Sequence, residues 1–135
     1  MSQENVEAFK RFADANNRRD VDAMLEELDA DVEWQSAVLG SLGGEATVHR
    51  GHDGVREMLR DLYEAFSEFQ VEFSDIRDLG DRIVAIGRWV TRGEESGVVT
   101  TPPLASVVEF KNGKAIRVRS YLDPKEALAA VGLRE

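Results

Sequence analysis

The spacing of apolar positions changes along the chain, and each change predicts a new element. Val6, Phe9 and Ala13, with Phe12 beside them, form a stripe at helical spacing. Ser2 is placed to cap that helix, Glu4 and Glu7 lie near its positive end, and Arg18 and Arg19 lie near its negative end. Asp20 reads as the N-cap of a shorter helix with Met24, Leu25 and Leu28 inward, stopping near Asp29 to Asp31. Val32 to Leu39 opens with Val32 and Trp34 alternating against Glu33 and Gln35, which predicts a strand. The glycine-rich stretch Gly40 to Glu45 follows as a mobile loop. After Gly51, the residues Val55, Met58, Leu59, Leu62 and Phe66 fall at i, i+3, i+4, i+7 and i+11, the strongest helical period in the chain.

From Phe69 the period drops to two. Phe69, Val71 and Phe73 alternate with Glu68, Gln70 and Glu72, a strand with one wet face, and the phase shift at Asp75 and Ile76 suggests a bulge. Ile83 to Val90 is almost continuously apolar, so both faces of that strand are expected to be covered, one by the helices and the other by a second subunit. Arg92 to Gly97 is a turn. Val98 to Phe110 is a long strand interrupted by Pro102 and Pro103, which belong at an edge or bulge. Asn112-Gly113 marks a tight hairpin, Ala115 to Leu122 is the last strand, and Asp123-Pro124-Lys125-Glu126 opens a terminal helix that stops at Gly132. Three helices with one early strand, then long antiparallel strands, then a short helix, make an α+β fold. Helices on one face of a bent sheet enclose a conical cavity.

Composition narrows the partners. The chain has 135 residues, the size of one domain over residues 1–135, with 42% apolar and 32% charged residues, as in a folded globular protein. Its 26 acidic against 17 basic residues leave a net charge of −9, which repels phosphate backbones and anionic lipid, so neither nucleic acid nor membrane is expected as a partner. There is no cysteine, hence no thiolate chemistry. No signal-like segment is evident, and the cytoplasm is the default location.

Several segments in fixed order resemble the SnoaL-like branch of the nuclear-transport-factor-2-like (NTF2-like) superfamily. They are Arg19-Asp20-Val21-Asp22-Ala23, Asp31-Val32-Glu33-Trp34, Arg50-Gly51-His52-Asp53-Gly54-Val55-Arg56, Gly93-Glu94-Glu95-Ser96-Gly97-Val98, and Ser120-Tyr121-Leu122-Asp123 leading to Ala127-Leu128. The resemblance implies a cone of three N-terminal helices on a strongly curved, mostly antiparallel sheet with a short C-terminal helix. It also implies a deep pocket and a homodimer. Ketosteroid isomerases, polyketide cyclases, limonene epoxide hydrolases and non-catalytic binding proteins share this fold, so the chemistry must be read from the site.

A ketosteroid-type isomerase needs a carboxylate base, a phenol and a protonated acid. The corresponding positions here are Trp34, Phe12 and the vicinity of Ser106, and none meets the requirement. An epoxide hydrolase of the limonene type needs a carboxylate two residues beyond Arg88, where Val90 stands. Asp123 matches the acid or base of the cyclases, with Tyr121 where a histidine is frequent. The same Asp123 also reads as a helix cap followed by proline at N1 and glutamate at N3.

The expected catalytic residues are therefore Asp123 and Tyr121. The expected ligand contacts are Trp34, Arg88, Arg119, Phe12, Met58 and Leu62. Strand alternation puts Arg117, Arg119, Tyr121 and Asp123 on one face and Ile116, Val118, Ser120 and Leu122 on the other, and either face can line the pocket. Arg88 either meets a ligand or pairs with Glu109 on a neighbouring strand. His49, His52 and Asp53 are too few for a metal site, and the Gly51-to-Gly54 segment more simply starts a helix with Asp53 in its first turn; no metal and no cofactor is expected. The functional expectation is a pocket for a small, largely apolar, oxygenated molecule, with cyclase- or isomerase-like acid–base chemistry at Asp123 and Tyr121. The alternative is a non-catalytic ligand carrier or dimerisation protein of the same fold.

Overall fold

The structure, a computed structural model, describes residues 2–36, 48–93 and 99–133. The expected glycine-rich loop, residues 40–45, lies outside them, as does the expected turn beyond residue 93. In chain order the elements are α1 (Ser2–Asn17), α2 (Val21–Glu26), β1 (Leu28–Gln35), β2 (Val48–Arg50), α3 (Gly51–Ala65), β3 (Phe66–Asp78), β4 (Arg82–Gly93), β5 (Val99–Thr100), β6 (Pro103–Lys111), β7 (Lys114–Tyr121) and α4 (Pro124–Ala130). The fold is the expected α+β arrangement: three N-terminal helices on a curved, unclosed sheet, with a short helix at the end.

The strands run β2-β1-β7-β6-β4-β3, with β5 paired to β4. Every pairing is antiparallel except that of β1 with β7. That parallel pair corrects one boundary. The chain from Asp29 to Asp31 belongs to β1, not to the end of α2, because Leu28 already aligns with Ala115 and the Ala115 N–H donates to the Glu27 carbonyl at 3.0 Å. A second boundary moves for a similar reason. Phe66, in phase with the stripe of α3, is the first residue of β3 and pairs with Gly93, so helix passes into strand without a loop.

The bulge expected near Asp75 is present, as the register of β3 against β4 shifts between Phe73 and Asp75. A bulge bends its strand and increases its twist, which curves the sheet around the helices. The hairpin from β6 to β7 turns at Asn112 (φ 54°) and Gly113 (φ 80°), the two positive φ angles that a type I′ turn requires.

The core has two sides. On the concave side, Ile83 and Ala85 of β4 and Val108 of β6 pack with Phe9 and Phe12 of α1 and with Val55, Met58 and Leu59 of α3. On the convex side, Val84, Ala105 and Val107 pack with Ala127 and Leu128 of α4 and with Val131 beyond it. Ile83, Val84 and Ala85 are fully buried in succession. The second face of β4 is therefore covered by this chain's own C-terminal helix, where the sequence suggests a second subunit; the helix follows β7 in the chain and folds back over the convex face.

The C-terminal end of α1 closes with Arg19 in the left-handed conformation (φ 56°), where the Asp20 N–H reaches the Ala15 carbonyl at 2.9 Å and the Arg19 N–H reaches that of Asn16 at 3.0 Å. A non-glycine residue there costs about 1 kcal/mol. Its guanidinium offsets that cost by donating to the Phe66 carbonyl at 2.8 Å and lying 4.8 Å from the centroid of the Tyr63 ring. Asp20 then caps α2 as expected, accepting from the Ala23 N–H at 3.1 Å.

Beside the bulge, β3 and β4 approach too closely for any side chain at Gly87, where a Cβ would run into the Glu72 carbonyl oxygen and lie 2.7 Å from the Phe73 Cα. Gly87→Ala is expected to destabilise the fold by about 3 kcal/mol, because backbone must move on both strands. Urea unfolding checks this as a lowered midpoint with an unchanged slope.

Candidate functional site

Between α1, α3 and the concave face of the sheet lies a slot. Its walls are Phe9, Phe12, Ala13 and Asn16 of α1; Met58, Leu59 and Leu62 of α3; Trp34 of β1 with Ser36 just beyond it; Phe69, Val71 and Phe73 of β3; Leu104 and Ser106 of β6; and Val118 and Ser120 of β7. The atom-free space along these walls, counted out to its open mouth, is about 550 Å³.

The aromatic rings meet obliquely. Phe12 lies 5.2 Å from Trp34 at 51°, and Phe9 lies 5.0 Å from Phe73 at 64°, the tilted and edge-on geometries that ring quadrupoles favour. Among the described residues of the lining there is no ionisable side chain. Polarity comes from Asn16 and from the serines at 36, 106 and 120. The Ser120 hydroxyl donates to the Gln35 carbonyl at 3.5 Å, and the Trp34 indole Nε1 is buried with no acceptor among the described residues.

Four expected ligand contacts, Trp34, Phe12, Met58 and Leu62, line this slot. Four other expected site residues do not. Val118 and Ser120 turn into the slot, so the alternation of β7 turns Arg117, Arg119 and Tyr121 to the opposite face. Arg119 is exposed beside a shallow groove with Glu33, Gln35 and Val48, and Tyr121 packs on the convex-side core under α4. Asp123 is exposed and outside the lining; its Oδ1 accepts the Lys125 N–H at 2.9 Å, which is the capping role. Arg88 is also exposed. It pairs at 2.9 Å with Glu72, directly opposite on β3, whereas Glu109 pairs with Arg117 at 3.2 Å. The expected Arg88–Glu109 pair fails on register, since Glu109 stands opposite Arg82.

His52 begins α3 as expected, and its Nε2 donates to the Leu28 carbonyl at 3.1 Å. The three positions tested for isomerase chemistry, Trp34, Phe12 and Ser106, do converge on the slot, and none supplies an acid or base there.

Residues 9–118 match the family model of the SnoaL-like domain. The chain belongs to the SnoaL-like family. No curated protein matches it. Among solved structures, this SnoaL-like chain is similar to TerC, which was co-crystallised with polyporic acid: 23% identity, TM-score 0.81, covering 89% of this chain and 92% of TerC. It is 25% identical to an NTF2-like protein of unknown function from Burkholderia pseudomallei, with TM-score 0.81 and coverage of 96% and 98%. A putative SnoaL-like polyketide cyclase from Jannaschia sp. is 18% identical, with TM-score 0.75 over 88% of this chain and 85% of that one.

Two residues of the site escaped the reading of the sequence. Asn16 follows Phe9 and Phe12 at i+7 and i+4 on the same helical face, a phase that marks it as inward, and it is 7% exposed. Tyr63 stands four residues after Leu59 on α3, and its hydroxyl donates to Asn16 Oδ1 at 2.8 Å. Burial raises the Tyr63 phenol to about 12, partly opposed by the positive charge of Arg19. Because the folded state holds this proton more tightly than the unfolded state, the associated stability is complete below pH 10 and is lost as pH rises toward about 12. Absorbance of the folded protein at the tyrosinate band should show a late step near pH 12 that is missing in Tyr63→Phe.

Proposed function

We propose that this SnoaL-like protein binds a flat, largely apolar, oxygenated small molecule in the slot between α1, α3 and the sheet, and that binding does not depend on acid–base chemistry at Asp123 or Tyr121. The observation that carries this reading is the lining itself: aromatic and aliphatic walls, a few neutral polar groups, and no ionisable side chain among its described residues. Apolar walls with a small number of placed polar groups are the usual make-up of a small-molecule site. A proton transfer near neutral pH needs a titratable group within hydrogen-bond reach of the reacting atom. Asp123, held by the Lys125 N–H outside the slot, does not meet that condition.

The likeness to a putative polyketide cyclase favours a second reading, in which the slot orients a substrate whose own acidic proton drives ring closure. In that reading the protein contributes orientation and exclusion of water. Polyporic acid, the compound co-crystallised with TerC, is a natural first probe. Tryptophan quenching and thermal shift should show binding by the wild type and equally by Asp123→Asn, and at least about tenfold weaker binding by Trp34→Ala, which removes one wall. Equal binding by all three would place the ligand elsewhere.

The proposal extends to a homodimer formed through the convex side of the sheet, where Val48 is exposed beside Gln35, Arg117 and Arg119. Sedimentation equilibrium at micromolar concentration should return twice the mass of the chain; a monomer there would overturn this part.

A further inference from the structure

We infer that the side-chain amide of Asn16 is the donor that selects the occupant of the slot, and that it selects flat molecules bearing a carbonyl or quinone oxygen. This rests on the slot being a ligand site, as proposed above. Asn16 lies in the last turn of α1, is 7% exposed and lines the slot. An asparagine amide offers an acceptor oxygen and two N–H donors. The oxygen is occupied by the Tyr63 hydroxyl at 2.8 Å, which fixes the orientation of the amide. The Nδ2 group has no acceptor among the described residues, and it is not among the buried polar atoms sealed from solvent. Because Asn16 lines the slot, an occupant of the slot is the acceptor assigned to this donor.

Tyr63 is the positioning residue. Burial keeps its phenol protonated, so it donates to Asn16, and the Arg19 guanidinium lies over its ring while donating to the Phe66 carbonyl at 2.8 Å. The Trp34 Nε1 also lacks an acceptor among the described residues, but it is sealed from solvent and is not presented to the slot. A buried N–H without an acceptor costs about 1–3 kcal/mol. The Asn16 amide is thus the N–H donor of the slot wall, beside the hydroxyls of Ser36, Ser106 and Ser120. The complementary occupant is a planar acceptor: an oxygen that meets the amide and rings that fill the aromatic walls.

The probes are 1,4-naphthoquinone and naphthalene, which share a two-ring flat shape and differ in two carbonyl oxygens. The chain has no cysteine for the quinone to alkylate. Equilibrium dialysis on the wild type should give roughly tenfold tighter binding of the quinone. Asn16→Leu and Asn16→Asp should bring the quinone down to the level of naphthalene and leave naphthalene within about threefold of wild type. Asn16→Asp keeps an acceptor for the Tyr63 hydroxyl and, measured at about pH 9 so that the buried carboxyl is ionised and carries no donor, tests the donor even where Asn16→Leu fails to fold. Tyr63→Phe should reduce the preference by about threefold, because the amide is then free to turn. Equal binding of both probes by the wild type, or a preference that survives in Asn16→Asp, overturns the inference and leaves the slot reading standing. Failure of the wild type to bind either probe overturns both.

Discussion

The site depends on how the last turn of α1 is tied to the edge of the sheet. Three residues within four positions make the ties. The Asn17 amide pairs with both backbone groups of Val71 on β3, donating to its carbonyl at 3.0 Å and accepting from its N–H at 2.7 Å. Arg19 holds the carbonyl of Phe66 at the start of the same strand, and Asn16 takes the hydroxyl of Tyr63 from α3. β3 is an edge strand, so its outward N–H and C=O groups would otherwise need solvent or another chain. Polar ties of defined length set the spacing between α1 and β3, and the aromatic residues between them line the slot. A purely apolar contact is non-directional and would set no such spacing.

The consequence for chemistry is a site that is shaped by stacking and tuned by neutral hydrogen bonds. The charged residues of the chain are spent at the surface: Arg88 with Glu72, Arg117 with Glu109, Arg56 with Asp22 and Arg11 with Glu27. Such exposed pairs add little to stability. They do keep guanidinium and carboxylate groups out of a site whose low polarity would make an unpaired charge costly. The SnoaL-like fold supplies the container, and the side chains at the positions of Trp34, Phe12 and Ser106 decide what it does.

The fold was legible in the sequence because its elements carry their period locally. The stripe of α3, the alternation of β3, the Asn-Gly turn and the Asp123 cap each follow from residues a few positions apart, and each has its expected counterpart in the structure. The boundaries that moved, at Asp29 to Asp31 and at Phe66, were set by pairing with β7 and β4, which lie far away along the chain.

Side-chain alternation along β7 was also plain from the sequence, with Arg117, Arg119 and Tyr121 on one face and Val118 and Ser120 on the other. Which face meets the helices was not, because a strand's own pattern is compatible with either choice when both faces are half apolar. The structure decides it by covering both: α4 folds over Tyr121 and Val84, and α1 with α3 encloses Val118 and Ser120. In the same way, the sequence by itself determined that Asn16 sits on the inward face of α1 and Tyr63 on the periodic helix after Gly51. Only the tertiary structure brought the two together across 47 residues, because a hydrogen bond between helices is a property of their packing and not of either one's period.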